Sequence, residues 1–202
     1  MNQDFLSELI GNPHTARILR ALVFNENERF TLKKAGKRAG ITPLAAGREL
    51  KALEKMGVAK RSKVIVVDKK SGRRKTETAW SLNAGFKHLR ALTAFVREIS
   101  PMKHEQILRA LKKSGRLSTV VLSGSFMDDL SRPTDILVGC DELNERKLEG
   151  AMKALEPVFG RELRYAAFST PEFRYRLTIQ DRLIRDTLDF PHIVLLDRSG
   201  LF

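Results

Sequence analysis

Apolar residues in the first half of the chain recur at helical spacing, in short runs broken by glycine and polar residues. Ile18, Leu19, Leu22 and Val23 follow Asn12-Pro13-His14-Thr15 and predict a helix. Phe30-Thr31-Leu32 leads into a second, basic helix over 33–39, which Gly40 ends. In Ile41-Thr42-Pro43 the chain restarts, with Thr42 as N-cap and Pro43 at the first helical position. This third helix runs to about Met56, turns Ala46, Leu50 and Leu53 to one face, and stops at Gly57. Strands are predicted over 63–68 and 75–82, joined by Lys69-Lys70-Ser71-Gly72-Arg73-Arg74. Phe86, Leu89, Leu92, Phe95 and Val96 then predict a helix within 83–100, closed by Pro101.

The second half alternates strands with helices. A helix is expected over 103–114, with Ile107, Leu108 and Leu111 on one face. Strands follow at 117–122, 135–138, 162–168 and 193–196. Between them lie helices at 144–155, with Leu148, Met152 and Leu155 apolar, and at 182–188. Ser169-Thr170-Pro171-Glu172 has the form of a capping box opening one more helix. The predicted fold class is α+β in two domains. Residues 1–83 form a helical domain with a hairpin, 84–101 a linking or dimerising helix, and 102–202 a small α/β domain.

Charge separates the same two halves. The chain holds 37 Lys and Arg against 24 Asp and Glu, a formal net charge of +13. Of these, 21 basic and 9 acidic residues fall in residues 1–100, so nearly all the excess is there. A basic domain gains affinity for a polyanion by neutralising phosphates and releasing counterions. No run approaches the ~20 apolar residues that span a bilayer, and the N-terminus lacks the layout of a secretory signal. Cys140 is the one cysteine, so no internal disulfide forms, and no Cys/His cluster suggests zinc. A cytoplasmic protein without membrane contact is expected.

Two helices joined by a glycine turn and followed by a basic hairpin suit a duplex. The second helix of such a pair enters the major groove, and the hairpin lies against phosphate or the minor groove. This order resembles the winged helix-turn-helix repressors of the ArsR/MarR kind over about residues 12–83. The stretch from Gly40 to Arg61 carries the likeness through its Arg-x-Leu-x-x-Leu-Glu-x-x-Gly core. The resemblance implies that Arg48 faces DNA while Leu50 and Leu53 face the core. The expected DNA-contacting residues are Thr42, Pro43, Leu44, Gly47, Arg48 and Lys51 on the third helix. Lys69, Lys70, Arg73, Arg74 and Lys75 join them on the hairpin. Lys55 shares the face of Arg48 and Lys51. The expected partners are double-stranded DNA and a second copy of the chain, paired through the helix after the hairpin.

In the second half, a strand, a Gly-Ser and, about ten residues on, an Asp on the next strand resemble the minimal nucleotidyltransferase domain of the DNA-polymerase-β-like superfamily, over about 104–197. In that family Gly-Ser opens a helix that holds triphosphate, and paired carboxylates on the next strand hold two divalent metals. Gly124, Ser125 and Asp135 match. The partner carboxylate position falls on Pro133 or Leu137, according to alignment, and the third falls near Arg164. A lone carboxylate beside an arginine does not hold two Mg²⁺ ions. The expectation is therefore a domain without catalytic residues, metal or resident cofactor. Gly124, Ser125 and Asp135 remain as the residues that would meet a nucleotide or Mg²⁺.

Ser123-Gly124-Ser125 lacks the second glycine of a nucleophile elbow. His14, His88, His104 and His192 share no ligand spacing, and Trp80 is expected to pack rather than stack on a base. The expectation from these readings is a sequence-specific transcriptional regulator with a sensing or interaction domain. Two alternatives stay open: an active nucleotidyltransferase of antitoxin-like role tethered by the first domain, and a protein- or RNA-binding scaffold.

Overall fold

Thr42 accepts the amide of Ala45 through its hydroxyl, and Pro43 follows with its fixed φ, so a helix starts where the sequence predicts one. The computed structural model describes residues 4–67, 72–99 and 102–202. They form a mixed α/β fold whose strands make two sheets. The chain divides into two units, Met1–Pro101 with Glu156–Arg161, and Met102–Leu155 with Glu162–Phe202.

In the first unit α1 (Phe5–Ile10), α2 (Pro13–Val23), α3 (Leu32–Ala39) and α4 (Pro43–Lys55) precede a hairpin of β2 (Ala59–Val67) and β3 (Arg74–Leu82). A two-residue strand, β1 (Phe30–Thr31), adds to β3, giving the order β1-β3-β2. Neither α1 nor β1 is among the predicted elements. Ile18, Leu22, Phe30, Leu50, Leu53 and Trp80 are buried in one core. At roughly 25 cal/mol per Å² of apolar surface, each such side chain contributes about 2 kcal/mol.

Close approach of α3 to α4 rests on small residues. A Cβ on Gly36 would stand 2.8 Å from the carbonyl oxygen of Ile41 and 3.1 Å from the nitrogen of Pro43. Gly36 therefore admits the turn, which Gly40 closes at φ 63° in the left-handed region. Asp4 caps α1 and also clips α2. The fully buried Arg20 donates to its two carboxylate oxygens at 2.6 and 2.7 Å. Burial alone raises the Asp4 carboxyl, but hydrogen bonds from Arg20 and Ser7 outweigh it and hold the group below its ordinary range.

The helix expected within 83–100 is α5 (Leu89–Glu98). Val96 is fully buried, and Phe86, Leu89 and Leu92 pack against the core of the first unit. The segment expected to link domains or dimerise thus packs one edge on this unit, while Ala91, Ala94 and Phe95 stay exposed.

The second unit has a four-stranded sheet in the order β6-β5-β4-β7, built from β4 (Arg116–Leu122), β5 (Ile136–Asp141), β6 (Tyr165–Phe168) and β7 (Ile193–Asp197). β4 runs antiparallel to β5 and β7, and β5 parallel to β6. The central strands are buried on both faces, which explains their near-continuous apolar runs. α8 (Thr170–Thr178) and α9 (Arg182–Leu188) deliver Phe173 and Ile184 to one cluster with Val121 and Leu137. α6 (His104–Leu111) and α7 (Glu145–Phe159) bury Ile107, Leu111, Leu148 and Met152. α7 continues past the expected end at Leu155, through Pro157, to Gly160 at φ 72°. Ser169 caps α8 by accepting the amide of Glu172, whereas the Glu172 carboxylate turns to Arg176 instead of completing a capping box. Among the described residues no helix is long and apolar enough to cross a membrane.

Candidate functional site

α4 buries Ala46, Leu50 and Leu53, and helical periodicity then sends Leu44, Arg48, Lys51 and Lys55 outward along one stripe. Leu44 is 70 % exposed. The two carboxylates of α4 are drawn away from this stripe. Glu49 accepts from the Thr15 hydroxyl at 2.5 Å and from Asn12 Nδ2 at 3.3 Å. Glu54 accepts from Trp80 Nε1 at 2.8 Å and pairs with Arg61 Nε at 3.2 Å. The stripe is left cationic with an apolar residue at its N-terminal end.

Of the residues expected here, Thr42, Pro43, Leu44, Arg48 and Lys51 are exposed. Gly47 is not. It is buried, and a Cβ at that position would stand 3.2 Å from Leu32 Cδ2 of α3. Its lack of a side chain serves helix packing rather than a ligand, which corrects the expectation.

The hairpin pairs in continuous register from Ala59↔Leu82 to Val67↔Arg74. Arg61, Lys63, Ile65 and Val67 are exposed on one face, since alternate residues share a face. Their cross-strand partners Trp80, Thr78, Thr76 and Arg74 lie on that face too. The Arg61–Glu54 pair ties it to α4. Arg74 therefore joins Arg61 and Lys63 on the α4 side, while its neighbour Lys75, opposite Val66, points to the other face. Arg73 is exposed. Lys69 and Lys70 lie outside the described residues. Arg61 and Lys63 are not among the expected contacts, although the period of two along 61–67 marks them.

In the second unit Gly124, Ser125 and Asp135 do come together, but they engage one another. Asp135 is fully buried. Its Oδ1 accepts the Ser125 amide at 2.9 Å and Arg164 Nη2 at 3.1 Å. Its Oδ2 accepts the Arg164 amide at 2.8 Å and Nε at 3.2 Å. Gly124 sits at φ 54° in a 3₁₀ turn rather than at the start of an α-helix, and a Cβ there would stand 2.6 Å from Asp135 Oδ1. Arg164 lies on the approach to β6, so the ion pair joins the end of β4, the start of β5 and the start of β6. The carboxylate is filled by donors, and the amide that would meet phosphate is already spent. Among the described residues no three His, Cys, Asp or Glu side chains group as metal ligands. These residues do not fit a two-metal centre. The Ser123 hydroxyl is buried with no hydrogen-bond partner.

No protein family, curated protein or solved structure gives a match to this chain.

Proposed function

We propose that the first unit binds double-stranded DNA as a winged helix-turn-helix domain, and that the chain acts as a sequence-specific transcriptional regulator. One observation carries this reading: Arg48, Lys51 and Lys55 share an exposed stripe from which both α4 carboxylates have been withdrawn into internal hydrogen bonds. A helix of this width fits the major groove, with its N-terminal residues Thr42, Pro43 and Leu44 nearest the base edges. Lys63 and Arg74 extend the same charge along the hairpin beyond the Arg61–Glu54 pair, where they meet phosphate. Shape and sign agree, whereas a merely soluble surface would keep its acids exposed among the bases.

The second unit takes a sensing or interaction part and performs no nucleotidyl transfer. The engagement of Asp135 by Arg164 supports this, because a metal would have to displace the guanidinium that compensates a fully buried carboxylate. A second copy would pair through α5, which leaves Ala91, Ala94 and Phe95 exposed.

Fluorescence anisotropy with a labelled duplex library tests the proposal. If about six phosphates are neutralised, affinity falls about 10³-fold between 50 and 200 mM salt. The double variant Arg48→Glu, Lys51→Glu should weaken binding and lower the salt slope by about two. Unchanged duplex affinity in this variant, or equal binding to single-stranded RNA, rejects the DNA reading.

A further inference from the structure

Leu108 of α6, Lys112, and Arg116 and Leu117 of β4 line a cleft of about 300 Å³ with Leu196 and Arg198 at the end of β7. All belong to the second unit. Gly115 also lines it. A Cβ there would stand 2.7 Å from Cys140 Sγ and 2.9 Å from the carbonyl oxygens of Asp141 and Glu142, so the backbone lies directly on β5.

The chemistry of the lining is uneven. Three leucines supply an apolar wall, and three cations supply the charge. Arg116 has only a distant carboxylate, Asp141 at 3.8 Å. Lys112 and Arg198 form no ion pair among the described residues. Three like charges around one concavity repel one another, and a low-dielectric wall strengthens their field. An anion relieves that repulsion. The apolar wall gains only if the same ligand carries hydrocarbon. The volume sits at the lower end for ligand sites and equals about ten waters' share of liquid, which suits a ligand of about ten non-hydrogen atoms.

We propose that this cleft binds a small amphiphilic anion, with a carboxylate or phosphate head against Lys112, Arg116 and Arg198 and a short hydrocarbon body against Leu108, Leu117 and Leu196. The site stands apart from the DNA reading and does not depend on it.

Titration of the full chain with octanoate and hexyl phosphate, followed by calorimetry and by ligand-observed NMR, tests this. Saturable binding is expected for at least one of them, at least tenfold tighter than for 1-octanol, acetate or inorganic phosphate. The stronger of the two heads identifies the anion. Lys112→Glu with Arg198→Glu changes two exposed side chains and should weaken binding at least tenfold without moving the melting temperature. Leu108→Trp should fill the cleft and abolish binding. Absence of saturable binding, equal affinity for octanol, equal affinity for the headgroup ions alone, or an unchanged affinity in the charge-reversed variant overturns the proposal.

Discussion

Trp80 Nε1 donates to Glu54 Oε2 at 2.8 Å, joining the base of the hairpin to the last turns of α4. The bond fixes two things together. It satisfies the one polar group of a buried indole, and it holds a carboxylate away from the cationic stripe of α4. Glu54→Ala should cost about 1–3 kcal/mol, because the indole N–H is left buried without an acceptor. Urea unfolding followed through Trp80, the one tryptophan, measures it. A loss below about 0.5 kcal/mol would show that the bond does little.

Arg20 and Asp4 form an ion pair whose guanidinium is fully buried. Asp4→Ala strands a guanidinium in the core, and an uncompensated buried charge costs about 3 kcal/mol. Stability should also depend on pH through this pair. The Asp4 carboxyl titrates below its ordinary value of 3.8 in the folded chain. Its contribution is therefore complete above the unfolded value and disappears as pH falls through the lowered one. The stability gap between the native chain and Asp4→Asn should be flat at neutral pH and narrow in acid. A gap that widens in acid contradicts the assignment.

Arg164 should be worth more to folding than to any ligand. Arg164→Leu leaves the buried Asp135 carboxylate with its backbone donors but without its cation, at a cost of about 3 kcal/mol. Gly124→Ala should also destabilise, since a left-handed φ and a 2.6 Å approach to Asp135 leave no room. Millimolar Mg²⁺ should leave the melting temperature unchanged. An increase that vanishes in Asp135→Asn would assign the carboxylate to a metal after all.

Cys140 should resist thiol reagents in the folded chain. Burial, with Asp141 beside it, pushes the thiol up from its ordinary range, so the reactive thiolate is scarce. Modification should run about 100-fold slower than in the urea-unfolded chain. Gly115→Ala should speed it, because φ 151° and ψ −163° form a backbone conformation open essentially to glycine alone. Equal rates in folded and unfolded chain would show that the sulfur is accessible.

The helices and strands that carry strong local signals are legible in the sequence. Thr42-Pro43 marks the start of α4, Gly40 the end of α3, and the stretch 182–188 is helical at the expected bounds. What escapes a linear reading is decided across the chain. β1 has two residues and exists only because Phe30 and Thr31 meet Trp80 and Ala79. Gly47 offers no side chain from which its face can be read, and Leu32 decides its burial. Asp135 matches a metal-ligand pattern along the strand, but its partner Arg164 stands 29 residues away. The cations of the hairpin show the same limit: position gives their density, while register gives their direction.

β2 is an edge strand, paired along one side only. Its unpaired rim carries Val64, Ile65, Val66 and Val67, of which Ile65 is 69 % and Val67 54 % exposed. Such a rim is a template for self-stacking with another molecule, and flanking charge is what keeps strangers off it. Lys60, Arg61 and Lys63 thus serve as gatekeepers whatever they bind. Replacing them with alanine to probe a ligand would also invite aggregation, so glutamate is the cleaner substitution there.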